Sequence, residues 1–185
     1  MREVHCQEIT AAVAKLCMEA NYFLGEDVIQ AFEEAVKSEE SPLGCGILSR
    51  LIENAKVAKA EQVPLCQDTG FTVVLAELGQ DVHVIGVDLY DAINEGVGRG
   101  YKGGFLRFSI VGDPLRRKNT GDNAPASVHV EVVSGSAFKL TVMAKGAGCE
   151  NMSVSHRLPP CGGQHRLPFP SVQGNLDLIQ RGGCA

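Results

Sequence analysis

The sequence predicts an α+β fold: a helical N-terminal layer packed with a mixed, largely antiparallel β-sheet, followed by an irregular C-terminal tail. Two changes of hydrophobic period predict it. From Val4 to Ala60 apolar residues recur at helical spacing; from Phe71 the pattern shortens to strand-like runs; after Ser155 neither period survives. Helices gathered ahead of strands, rather than alternating with them, argue for α+β.

The first helix carries Ile9, Val13, Leu16, Cys17 and Ala20 on one stripe, and the second carries Val28, Ile29, Phe32, Ala35 and Val36. Ser41 and Pro42 supply an N-cap and a tolerated first-turn proline to a third helix, where Ile47, Leu48, Leu51, Ile52, Ala55 and Ala58 repeat the spacing. FTVVLAEL and VHVIGV are rich in strand formers, Asp88 can cap a helix through LYDAINEGV, and SVHVEVV and FKLTVMA read as two strands joined by SGSA. The last thirty residues hold four of the eight prolines and five of the 21 glycines, so only Gly174 to Gln180 keeps a short helical pattern. The organisation expected is a domain over 1–155 and a loosely ordered tail over 156–185. These segments contain no internal repeat.

At 185 residues and 44% hydrophobic, the chain is long enough for one domain with a real core. A net charge of −5 without a basic block argues against a nucleic-acid surface. No apolar run approaches a membrane span, and the polar, acidic start MREVHCQEIT is unlike a signal peptide, so a cytoplasmic protein is expected. Seven cysteines at irregular spacing fit reduced thiols better than a disulfide framework, and Cys6 and Cys17 read as small packing residues on a helix.

Three polar, glycine-bearing turns sit at the ends of strand-like segments: PLCQDTG, RRKNTGDN and AKGAGCENMS. Each taken alone is ordinary turn chemistry, because Asn, Asp and Gly accept left-handed backbone. Together they carry Cys66, Gln67, Asp68, Lys118, Asn119, Asp122, Asn123, Lys145 and Glu150, an inventory suited to a small anion beside a thiolate-bound centre. Cys66 precedes polar residues rather than an apolar run. Its chemistry leaves three roles open: metal or cluster ligand, structural residue, or nucleophile or redox thiol.

LCMEANYFLGEDV, SPLGCGILSRLIENAKVA, VPLCQDTG, DLYDAINEGVGRGY, LRFSIVGDPLRRKNTGDNAPASVHVEVV and AKGAGCENMS resemble successive blocks of the iron-sulfur hydro-lyase family, the class I fumarate hydratases and L-tartrate dehydratases, in the N-terminal part of the alpha subunit. The resemblance runs over about residues 4–155, and CQDTG followed by KNTGDN is specific as a pair. It implies an enzyme that hydrates or dehydrates a small dicarboxylic acid with a four-iron four-sulfur cluster, a beta subunit completing the active site, and no nucleic-acid or membrane partner. It implies Cys66 as a cluster ligand, with Gln67, Asp68, Arg107 and Gly148 at the substrate. Lys118, Asn119, Thr120, Asp122 and Asn123 would shape the loop. The catalytic base is not identified, and fumarate, tartrate and related acids are not distinguished.

The sequence also departs from the family. The family's second cluster ligand stands in a Cys-Pro-Pro setting and its third nearer the end of the subunit, and neither has a match here. Cys161, in PPCGG, comes too soon and in reversed context, while Cys149 stands where the family more often has serine. One ligand of three is matched. The expectation is a truncated or frame-shifted chain, inactive alone. The alternatives are a small-carboxylate binding module without a metal, or a structural subunit that docks a beta subunit or forms a homo-oligomer.

Overall fold

A computed structural model describes residues 1–146 and Gly148. The expected tail over 156–185, the helical turn at Gly174 to Gln180, and the positions of Cys149, Glu150 and Cys161 lie outside the described residues. The element order is β1 (Arg2–His5), α1 (Cys6–Tyr22), α2 (Glu26–Ser38), α3 (Pro42–Glu61), β2 (Phe71–Gly79), β3 (Val82–Ile85), α4 (Leu89–Gly103), β4 (Ser127–Val133) and β5 (Phe138–Lys145). This is an α+β arrangement with a mixed sheet.

The strand pairing corrects one expectation. β2 lies between β4 and β5, parallel to the first and antiparallel to the second, and β1 pairs parallel with β3, so the sheets are not largely antiparallel. The burial patterns accord with this order: Thr72, Val74 and Ala76 of the central β2 are buried along one face, whereas HVEV in the edge strand β4 alternates polar and apolar residues. β4 and β5 are therefore consecutive in sequence but separated in space. Val4 is also corrected, because it pairs with Val84 in β1 and its burial ends a strand rather than starting a helix.

Within the helices, packing follows the apolar stripes. α1 buries Ile9, Val13 and Cys17 against α4, which buries Ala92, Ile93, Val97 and Tyr101. The two helices approach closely because α4 presents glycines there: a Cβ on Gly96 would come 2.7 Å from the Thr10 carbonyl oxygen, and one on Gly100 would come 2.7 Å from that of Ala14. Asp88 caps α4 by accepting from the Tyr90 and Asp91 amides, and the helix runs on past LYDAINEGV to Gly103. Val74, Val128, Leu140 and Val142 join α1 and α4 in one apolar cluster. α2 contributes no buried residue to it and packs on α3, whose Ser41 caps its own first turn through the Gly44 amide. Of the expected N-terminal helical layer, α1 therefore supplies the core, with α4 as its partner.

Cys17, 1% exposed, is held beside Thr72, and burial pushes its thiol up to about 11. The ordinary value for the same thiol is 9.0. Between those values the unfolded state sheds a proton that the folded state keeps, so stability is full below about pH 9 and falls by about 2–3 kcal/mol as pH rises through 11. Denaturant midpoints measured across this range should fall more steeply for the native chain than for Cys17→Ala.

Candidate functional site

The segment that carries Cys66 leaves α3 through Gln62, which adopts left-handed backbone with φ 55°. It is tied on both sides of Leu65: the Leu65 amide donates to the Asn21 carbonyl at 2.9 Å, and Asn54 Nδ2 donates to the Leu65 carbonyl at 2.8 Å. Cys66 then emerges exposed, with the Asp68 amide donating to its Sγ at 3.4 Å and its own thiol directed to Gln67 Oε1 at 3.3 Å. Asp68 closes the turn by accepting from the Gly70 amide at 3.2 Å, the side-chain turn that aspartate favours. Gly70 has φ 61°, and a Cβ there would collide with the Lys145 carbonyl. Only glycine lets the start of β2 pass this close to the end of β5.

Gly70 is where the three polar turns meet. Asn123, fully buried with φ 58°, donates from Nδ2 to the Gly70 carbonyl at 3.1 Å, while its Oδ1 accepts from the Ser109 amide at 2.6 Å and the Ile110 amide at 3.2 Å. Asn119 Nδ2 donates to the Phe108 carbonyl at 2.9 Å, and Thr120 and Gly112 close a small hairpin with Ile110 and Lys118 through main-chain bonds. Asp122 Oδ1 accepts from the Ala124 amide at 3.0 Å. On the far side, Lys145 donates to the Gly146 carbonyl at 2.6 Å, and Gly146 lies against the Asp68 carboxylate.

Of the residues singled out from sequence, Cys66, Gln67, Asp68, Asn123 and the Lys145–Gly146 turn are thus assembled around one point. Arg107 is exposed, and its main chain is tied to the same turn through Thr69. Lys118 and Asn119 are exposed in the adjoining hairpin, and Gly148 is exposed, with no other described residue close to where its Cβ would stand. Two residues at the centre were not picked out from sequence. Thr69 exchanges two hydrogen bonds with Arg107, and Tyr101 donates its hydroxyl to the Thr69 carbonyl at 2.7 Å. The signal for Tyr101 was the helical stripe of α4, which also reads simply as core. Burial raises the Tyr101 hydroxyl above its ordinary value, against the opposing pull of hydrogen-bonding groups on Thr72, Asn21 and Asn123.

The donor set limits what the described residues can hold. Cys66 offers an exposed thiol with an amide N–H directed at the sulfur, which suits a thiolate ligand. Cys6 and Cys17 are buried and Cys45 lies on α3, bonded to main-chain carbonyls of Val36 and Glu39. Among the described residues no three His, Cys, Asp or Glu side chains gather at one point. A single thiolate fits a share in a metal cluster; it does not by itself make a site.

Replacing Asn123 with Ala would remove the partner of the part-buried Ser109 and Ile110 amides and leave the buried Gly70 carbonyl with only the longer contact to the Tyr101 hydroxyl, a loss of about 1–3 kcal/mol in urea or thermal unfolding. Asn123→Asp, which keeps the acceptor and loses the donor, should recover part of this loss at most.

The sequence model of the family described as "Fumarate hydratase (Fumerase)" matches residues 10–168. The chain is 37% identical over 163 residues to a Methanocaldococcus jannaschii protein named "Putative L(+)-tartrate dehydratase subunit alpha", covering 84% of this chain and 56% of that one. It is 28% identical over 158 residues to "Fumarate hydratase 2" of Leishmania major, 84% of this chain and 28% of that protein. With "Fumarate hydratase class I, anaerobic" of Escherichia coli strain K12 it shares 33% over 110 residues, 58% of this chain and 20% of the other. The chain therefore spans about half the length of the first relative and under a third of the other two. No described helix is long and apolar enough to cross a membrane. The extent of the family match, together with the meeting of CQDTG and KNTGDN at Gly70, establishes that this chain belongs to the fumarate hydratase family.

Proposed function

We propose that the chain contributes the Cys66 side of the active site of a hydro-lyase that adds water to, or removes it from, a small dicarboxylic acid such as malate or tartrate. The observation that carries this reading is the junction at Gly70, which gathers an exposed thiol, an amide and a carboxylate beside a loop bearing Arg107. The relatives named as fumarate hydratases and as a tartrate dehydratase subunit support the reaction class.

On this reading Cys66 is one of three thiolates holding a four-iron four-sulfur cluster, and the remaining two come from outside the described residues. When bound, the cluster supplies an open iron that acts as a Lewis acid on the substrate hydroxyl and carboxylate. The chain's own residues bind and orient. Gln67 and Asp68 line the substrate beside the thiol, the Arg107 guanidinium pairs with a substrate carboxylate through its two-pronged fork, and Gly148 lets the main chain approach. Lys118, Asn119, Thr120, Asp122 and Asn123 shape the loop that carries them. No residue is assigned as the base that takes the carbon-bound proton.

The partner on this reading is a beta subunit, in keeping with the name of the M. jannaschii relative as an alpha subunit. Leu43, Ile47 and Leu51, 74%, 51% and 42% exposed on one side of α3, leave an apolar stripe that a partner chain would cover. With one thiolate of three among the described residues, we expect this chain alone to turn over no substrate.

Anaerobic reconstitution with iron and sulfide tests the assignment. The isolated chain should take up iron below one cluster per chain, and addition of the remaining part of an alpha subunit, with its two further cysteines, together with a beta subunit should raise the visible charge-transfer absorbance together with hydration of fumarate. Cys66→Ser should abolish both gains. A Cys66→Ser chain that reaches full absorbance and activity would sink the proposal.

A further inference from the structure

We propose that Thr69 is a positioning residue, locking the main chain of Arg107 to the Cys66 turn so that the guanidinium extends from a point fixed relative to the thiol; this rests on the hydro-lyase reading. Thr69 Oγ1 donates to the Arg107 carbonyl at 3.0 Å and accepts from the Arg107 amide at 2.9 Å. A single hydrogen bond leaves a pivot, whereas a reciprocal pair to one residue fixes both separation and rotation. The threonine itself is immobilised: it is 2% exposed, and its carbonyl accepts the Tyr101 hydroxyl at 2.7 Å. Tyr101 heads the fully buried side chains by size and is seated on α4, so the position of its hydroxyl is set by the α1–α4 core.

From Thr69 the ordered path to the thiol is short. The Asp68 amide bonds to Cys66 Sγ, and the Gly70 amide bonds to the Asp68 carboxylate, so the turn between residues 66 and 70 is braced from within. On the hydro-lyase reading a dicarboxylate would be held between the Cys66 side of the site and Arg107, and Thr69 would keep the main chain of these two anchors at a constant spacing. Pre-organisation of this kind is what positions a substrate for reaction at small further cost in entropy.

The test uses the iron-free chain and the ratio of Cys66 alkylation rates with iodoacetate and with iodoacetamide, read by peptide mass spectrometry at low salt. The two reagents differ by one negative charge, so their ratio reports positive charge beside the sulfur. Arg107→Gln should lower the ratio, by up to about threefold if the lost charge reaches within about 6 Å of the sulfur in water. Thr69→Val, which keeps the shape and loses both bonds, should lower it towards the Arg107→Gln value, and Thr69→Ser should restore the native ratio.

A folded Thr69→Val chain with the native ratio, or an Arg107→Gln chain with the native ratio, overturns the proposal. A merely structural role would lower the unfolding midpoint and leave the ratio alone. If Thr69→Val does not fold, Tyr101→Phe takes its place: a lowered ratio supports the proposal and a native one overturns it. Because no iron enters this experiment, failure of the hydro-lyase reading, seen in iron uptake, is separate from failure here.

Discussion

The Asn123 side chain is the constraint on which the site depends. It is fully buried, and its amide satisfies three main-chain groups on two separate segments, the Gly70 carbonyl ahead of β2 and the Ser109 and Ile110 amides after α4. A buried amide has few alternatives, since each unpaired polar group costs about as much as a hydrogen bond gains. The left-handed backbone at Asn123, φ 58°, is one that asparagine tolerates better than most residues. Conformation and bonding therefore select the same residue. With Asn123 in place, two loops that share no secondary structure keep a fixed relation.

That junction is carried by a scaffold that is apolar elsewhere. α1 and α4 close on each other through Gly96 and Gly100, and this close approach places Tyr101 at the end of the apolar cluster with its hydroxyl reaching the turn. Thr69, Thr72, Asn21, Tyr101 and Asn123 thus form a buried polar seam at one end of the core, and among the described residues no buried side-chain polar atom lacks a partner. Fully paired networks of this kind give a unique geometry, because any rearrangement leaves groups unsatisfied. Rigidity at a site of exposed chemistry is the functional return.

Sequence made the helices and strands legible because their signals are local. Ser41 and Asp88 announced their helices by cap chemistry, and the stripes of α1 and β2 announced their buried faces. Strand order was not legible in the loops, because SGSA between β4 and β5 says nothing of β2 lying between them, and the parallel pairing of β2 with β4 depends on the crossover through β3 and α4. The polar turns could be picked out by composition, yet their meeting at Gly70 rests on contacts more than fifty residues apart in sequence, such as Asn123 with Gly70. Thr69 escaped notice because a threonine inside a turn motif already has a bland explanation. Tyr101 escaped for the opposite reason, since an aromatic residue on an apolar stripe reads as packing.

The central claim is that Cys66 stands where this family binds iron, braced by a turn the rest of the fold holds still. Iron-edge anomalous diffraction from crystals of the reconstituted protein, grown with the proposed partner subunit, tests it most directly. The account predicts an anomalous peak bonded to Cys66 Sγ, with the Thr69 to Arg107 and Asn123 to Gly70 hydrogen bonds intact beside it. Iron bound at other thiols, with none at Cys66, would contradict it.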